Sequence, residues 1–116
     1  MAGIVIRKGF EYSATAYRRS GPNNTIVVPI PTGFEAKMTF TPKYADVVTP
    51  WTLTSSPPAG LTIDHPNGEI AIYMGATFTD TLPVGLVVCW VLEIYDPLNP
   101  DAVVFLGKGD ASVSAC

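Results

Sequence analysis

Gly60-Leu-Thr-Ile-Asp-His-Pro-Asn-Gly-Glu-Ile-Ala-Ile-Tyr-Met74 decides how this chain folds, together with the two segments after it: Gly75-Ala-Thr-Phe-Thr-Asp-Thr-Leu-Pro-Val-Gly85 and a long apolar run into Leu92-Glu-Ile-Tyr-Asp-Pro97. Apolar and polar residues alternate on both sides of Asn67-Gly68, a dipeptide that tolerates positive φ. The reading is therefore strand, tight turn, strand. Ile70 and Ile72 face inward on the returning strand. Between Gly75 and Pro83, Thr77 or Thr79 is placed to cap one helical turn containing Asp80. Leu86 to Tyr95 is the longest apolar run and is expected to be the central strand. It puts Val87, Cys89 and Val91 on one face and Val88, Trp90, Leu92 and Ile94 on the other. Almost every polar residue in the stretch has a structural job, and none is arranged for chemistry.

The same period extends outward. Ile4 to Ile6 reads as a short strand, and Phe10 to Tyr17 alternates with Phe10, Tyr12, Ala14 and Ala16 on one side. Arg18 to Thr25, containing Ser-Gly-Pro-Asn-Asn, carries loop signals throughout. Ile26-Val-Val-Pro-Ile-Pro31 can extend, but its two prolines confine it to an edge or to a crossing between sheets. Glu35 to Phe40 turns Ala36, Met38 and Phe40 inward. Thr41 to Pro50 reads as a loop with Tyr44 tucked down. Trp51 and Leu53 share a face, and Pro57-Pro58-Ala-Gly60 turns the chain. Pro97 to Asp101 is a turn, Ala102 to Leu106 a strand, Gly107 to Gly109 a bulge or bend, and Ala111 to Ala115 an edge strand. Strands spaced by turns at about 8–12 residues fit a sandwich or barrel. No helical apolar stripe, internal repeat or low-complexity tract interrupts the pattern.

Composition bounds the function. The 116 residues make one domain of ordinary size, 1–116, and two halves would each lack a core. Apolar residues are 47% and charged residues 15%. The charged share is far below the roughly 25% of a typical soluble domain, which favours a surface partly covered by other subunits. Six basic residues stand against Glu11 and Glu35 up to Lys43, whereas beyond it Lys108 faces eight acids. The net charge of −3 argues against nucleic acid as the main partner. Arg18-Arg19 is too small a cluster to reverse that, and reads as a solvated turn or ion-pair partner. No apolar run is long enough to span a membrane as a helix. The opening Met-Ala-Gly-Ile-Val-Ile-Arg-Lys has its charges after the apolar residues and is not read as a signal peptide. Cys89, taken as buried at mid-strand, and Cys116 read as reduced thiols of a protein made in a cytoplasm. Without secretion, the sequon at Asn23-Asn24-Thr25 is empty.

Residues for chemistry are sparse. His65 sits in a turn between Asp64 and Pro66 and reads as solvated. A thiol–imidazole pair would need Cys89 beside it, and a buried thiol is inert. No zinc spacing, EF-hand loop, phosphate loop or nucleophile elbow occurs. Asp96, Asn99 and Asp101 offer too few oxygens for calcium and match an ordinary turn. Some pair among ten acids always remains for glycoside cleavage, but no aromatic groove is implied beside them. Trp51 and Trp90 read as core. The chain is therefore expected to have no catalytic residues, no cofactor and no metal.

Three passages carry a resemblance. They are Ile4-Val-Ile-Arg-Lys-Gly-Phe-Glu-Tyr12, Ile30-Pro-Thr-Gly-Phe-Glu-Ala-Lys-Met38, and Gly60 through Asp96, with Ala76-Thr-Phe-Thr-Asp-Thr-Leu-Pro-Val-Gly85 in its middle. In this order they resemble a family of small Ig-like β domains of tailed phages and prophages, which includes the N-terminal domain of baseplate upper proteins. The likeness covers nearly the whole chain, with departures at 18–25, in the Pro-rich 41–58 region and at the C-terminus. It implies an all-β, Ig-like antiparallel sandwich of seven to eight short strands, with at most one helical turn near 76–82. The function it implies is that of a virion structural protein, made in the bacterial host cytoplasm. Such a module docks on the neck or collar, tail or baseplate, or capsid surface. Its partners would be portal, adaptor, tail or capsid subunits; the scarcity of charge adds further copies of the chain itself, and the acidic balance and the lack of a long apolar run argue against nucleic acid and membrane insertion.

The docking residues expected are those of the two predicted edges: Ile4, Val5 and Ile6 at the start, and Ala111, Val113 and Ala115 at the end. Deleting residues 1–6 is expected to abolish docking while the domain stays folded. The alternative reading is a host-surface carbohydrate-binding module of the particle, with Tyr17, Tyr44 or Tyr73 as exposed stacking residues.

Overall fold

In the computed structural model, which describes residues 3–20, 22–43, 49–56 and 59–115, the period-two stretches become strands. They run β1 (Ile4–Arg7), β2 (Tyr12–Tyr17), β3 (Arg19–Ser20), β4 (Ile26–Val27), β5 (Glu35–Pro42), β6 (Trp51–Thr54), β7 (Leu61–Asp64), β8 (Glu69–Met74), α1 (Ala76–Thr79), β9 (Val87–Asp96) and β10 (Asn99–Ser114). Two sheets face each other, a larger one in the order β1-β10-β9-β5-β6 and a smaller one in the order β2-β8-β7; β3 and β4 form a separate two-stranded ribbon. The fold is an all-β sandwich.

Alternation sets the core. In β5, Ala36, Met38 and Phe40 are fully buried, and β9 contributes Val88, Trp90, Leu92 and Ile94. The smaller sheet answers with Leu61, Ile70, Ile72 and Met74. Burying a side chain of this size contributes about 1.5–3 kcal/mol. A layer of this depth therefore outweighs the weak local preferences of the strands. β9 is paired on both sides, with β10 and with β5, as expected of the longest apolar run. Trp51 stacks on Phe40 at 4.9 Å between ring centroids, and Phe78 of α1 meets Trp51 edge-on at 5.7 Å.

The chain passes between the two sheets four times, after β1, after the β3–β4 ribbon, after β6 and after β8. The Lys8-Gly9 turn carries it from β1 to β2, with Gly9 at φ 81°. Lys8 fastens this corner: its ammonium donates to the Asp80 and Leu82 carbonyls, just beyond the C-terminal end of α1. Pro29-Ile30-Pro31 is the crossing from β4 to β5, as its prolines predicted, and its Ile30 is buried.

Several local expectations give way to the structure. Arg18 to Thr25 is not all loop, because Arg19 and Ser20 pair with Val27 and Ile26 around a 3-10 turn. Gly68 takes positive φ in the β7–β8 turn, but Asn67 does not. Neither Thr77 nor Thr79 caps α1; Gly75 occupies the N-cap without a side-chain bond. The Thr79 hydroxyl instead donates to the Phe10 carbonyl at 2.8 Å, tying the helical turn to the start of β2. Phe10 precedes β2 and faces solvent.

The predicted strand at 102–106 and the final segment are one strand of 16 residues, with register shifts between Asn99 and Val103 and between Phe105 and Gly107. Ala111–Ser114 is no edge, since β9 flanks Ala111 and Ser112 on one side and β1 flanks the whole segment, in parallel, on the other. Tyr44 and Pro57-Pro58 lie outside the described residues.

Candidate interaction surface

The six residues expected at docking edges divide by alternation. Ile4, Ile6, Ala111 and Val113 point into the core, and Ile6 is fully buried. Val5 and Ala115 face outward, with Val5 57% exposed. β1 is an edge strand of the larger sheet, but it supplies core at the same time. Removing residues 1–6 therefore takes away Ile6 and Ile4, and the expectation that the remainder stays folded is corrected: it loses part of its core.

The outward surface is apolar where a strand edge is free. β1 pairs with β10 only from Ala111 to Ser114. From Asn99 to Gly109, β10 has β9 on one side and no strand among the described residues on the other. Val103 and Phe105 stand outward in this section at 48% and 56% exposure, while Val104 and Leu106 lean toward the core. Across the gap lies β2, itself the outer strand of the smaller sheet. Between the two edges opens a cleft of about 800 Å³, floored by Met38, Ile72, Trp90 and Leu92. Its walls include Ala14 and Ala16 of β2, whose short side chains leave the space unfilled.

Glycines shape the same region. A Cβ at Gly109 would come within 3.0–3.1 Å of the Trp90 indole, so this stretch of β10 lies directly against that ring. The free edge is not legible in the sequence, where Val103 and Phe105 read as one face of an ordinary strand. The signal available is a strand with apolar residues on both faces and a proline, Pro100, near its start.

The side chains weighed for chemistry are dispersed. The ring nitrogen Nδ1 of His65 lies 3.2 Å from the Ile30 carbonyl and 3.1 Å from that of Pro31, so the imidazole braces the crossing between sheets. Cys89 is exposed rather than buried, because alternation turns Val88 and Trp90 inward and, among the described residues, no second layer covers the outer face of β9. Asp96 and Asn99 use their side-chain oxygens to accept the backbone N–H of Leu98 and Asp101, as turn residues do. Among the described residues no three His, Cys, Asp or Glu side chains converge as metal ligands. No helix among them is long and apolar enough to cross a membrane.

The paired arginines have separate tasks. Arg18 donates to the Pro29 carbonyl at 3.2 Å, and the Arg19 guanidinium lies over the Tyr17 ring at 5.0 Å. On the outer face of β8, Tyr73 donates to a Glu11 carboxylate oxygen at 3.0 Å. That hydrogen bond, then the charge of Glu11, holds the phenol above its ordinary pKa. Tyr12 is also raised, in its case by burial. No protein-family model and no curated protein matches this chain.

Proposed function

We propose that this protein is a structural subunit of a tailed-phage virion, an attachment module docked on the neck or collar, the tail or baseplate, or the capsid surface. The observation that carries the reading is a surface built for contact. Large apolar side chains at ten of the described positions stand exposed, Val5, Val84, Leu98, Val103 and Phe105 among them, on a chain of which only 15% is charged. A monomer that exposes this much hydrophobic surface beside unpaired strand edges is poorly protected against association. Within an assembly, the same features supply backbone hydrogen bonds and apolar anchors. The sequence resemblance to small virion β domains supports the particle as the place of that assembly.

Mass spectrometry of density-banded particles from the host that encodes the chain tests this. The reading predicts the chain in a fixed ratio to the major capsid protein, retained through high salt. Its absence from washed particles contradicts it.

A second reading is supported by one placement. Tyr17 and Tyr73 both lie on the outer face of the smaller sheet, where Tyr17 is level with Glu69 and Tyr73 with Ser13. Four residues of strand, about 13 Å, separate them. Thr15 and Ala71 lie between them, with Ser13 beside Tyr73 and the acidic Glu69 beside Tyr17, a strip with a ring at each end on which an extended glycan could stack. Saturable binding on a glycan array, lost in Tyr17→Ala, would support it, and an array without hits would remove it.

A further inference from the structure

We infer that the cleft between β2 and β10 is a binding site for an amphipathic anion, a long-chain carboxylate whose alkyl body lies along the apolar floor and whose head meets Arg18 and Arg19. The inference stands apart from the virion reading: the site needs no particle, and a chain that binds no such ligand would leave the particle reading standing.

The ligand is identified by how the lining is divided. A volume of about 800 Å³ is of the size that holds one small molecule. Its apolar part comes from both sheets, Ile72 from the smaller and Trp90 and Leu92 from the larger. Val104 and Leu106, which lean toward the core, wall it on the β10 side. The short side chains of Ala14 and Ala16 leave room on the β2 side. β2 runs beside this apolar surface for six residues, about 20 Å of strand. That length suits an extended alkyl chain.

Charge is confined to one end. Arg18 and Arg19 follow directly on Tyr17, the last residue of β2, and line the cleft together with Ser20. No aspartate or glutamate is among the described residues of the lining, although the chain holds ten acids against seven bases. Neither arginine takes part in an ion pair among the described residues. Both are nevertheless held in place, Arg18 by donating Nη1–H to the Pro29 carbonyl and Arg19 by resting over the Tyr17 ring. A guanidinium has five N–H donors, so each keeps most of its fork for a carboxylate, whose two oxygens match that geometry. A cationic ligand would find no counter-charge here. An uncharged one would leave both arginines unanswered.

Trp90 lies on the floor and reports occupancy. Trp51→Phe leaves it as the one indole of the chain. Fluorescence quenching of this variant by a dibrominated long-chain carboxylate, held below the concentration at which it forms micelles, tests the proposal. Saturable quenching by one ligand per chain is expected. Unbrominated carboxylates should displace that ligand with affinity rising about fourfold per added methylene until the cleft is full. The alcohol of the same length should bind roughly tenfold more weakly, as should the carboxylate to Arg19→Gln, which spares the Arg18 brace. Ala16→Leu fills the wall and is expected to lose the site while keeping the wild-type circular dichroism.

Absence of saturable quenching overturns the proposal and leaves the cleft to a peptide strand. Equal affinity for carboxylate and alcohol, or binding undiminished in Ala16→Leu, overturns it as well. So does quenching seen only with brominated anionic vesicles, which would mark a lipid surface rather than a single captured molecule as the partner.

Discussion

Gly68 has φ 59°, and a Cβ placed on it would come within 2.2 Å of the Val28 carbonyl oxygen. Gly85 has φ 88° with nothing within 4 Å of its Cβ position. The two glycines separate backbone strain from collision. Gly85→Ala is expected to cost only the left-handed conformation, about 1–2 kcal/mol. Gly68→Ala must also move the β4–β5 crossing, and is expected to cost at least about 1 kcal/mol more. Urea midpoints of the two variants check the difference. The turn at Asn67-Gly68 was legible because glycine is the residue that takes positive φ cheaply. The close approach of Val28 was not, since it depends on a segment about 40 residues earlier in the chain.

Titration belongs to the residue scale too. Tyr12 and Tyr73 have raised pKa values in the folded chain, so the unfolded chain loses these protons first as pH climbs past the ordinary tyrosine value of about 10. Above that point the folded state binds more protons than the unfolded state, and stability falls with rising pH. Their contribution is fully present below about pH 10. Tyr12→Phe is expected to lose less stability than wild type between about pH 9 and pH 11, as measured by urea unfolding at each pH. An identical slope for both proteins would contradict the burial argument for Tyr12.

Among the elements, β1 shows how an edge strand can also be core. Ile6 is fully buried and Ile4 nearly so, while Val5 between them faces out. Ile6→Ala is expected to cost about 2–5 kcal/mol. Val5→Thr, which trades a methyl for a hydroxyl on the exposed side, should change stability by less than about 0.5 kcal/mol. Thermal melts of both variants test the alternation directly. β5, β8 and β9 were legible for the same reason: each is long enough for period two to show which face is apolar. β3 and β4 are two residues apiece, too short to carry a period; the loop signals around Arg19-Ser20 hid β3, whereas Ile26-Val27 was legible as a segment able to extend but not as the partner of β3. The pairing of β10 was also invisible locally. Ala111–Ser114 looks like an end of the chain, yet β1, more than 100 residues away, takes the position beside it.

At the scale of the whole molecule, an uneven sandwich results. Five strands in one sheet face three in the other, and β1 accompanies β10 over only 4 of its 16 residues. Beside the remaining length of β10 lies an apolar cleft bordered by two strand edges. The low charge content pointed toward a covered surface, and the structure locates free, apolar edge backbone on β10. It could not have been located beforehand, because a free edge is a property of which strands are missing beside it. The partly exposed ion pair between Lys37 and Glu93, 3.3 Å apart, illustrates how little the surface charges hold the fold together. A pair of this kind contributes about 0.2–1 kcal/mol, far below one buried isoleucine.

Residue-resolved amide hydrogen exchange along β10, recorded on the free chain and on the chain in banded particles, tests the claim that this edge is the chain's contact surface. The account predicts fast exchange in the free chain for the outward-directed amides of Asn99–Gly109, against slow exchange in Ala111–Ser114, and protection of the former in the particle. Slow exchange of those amides in the free chain, or fast exchange in both settings, would contradict it.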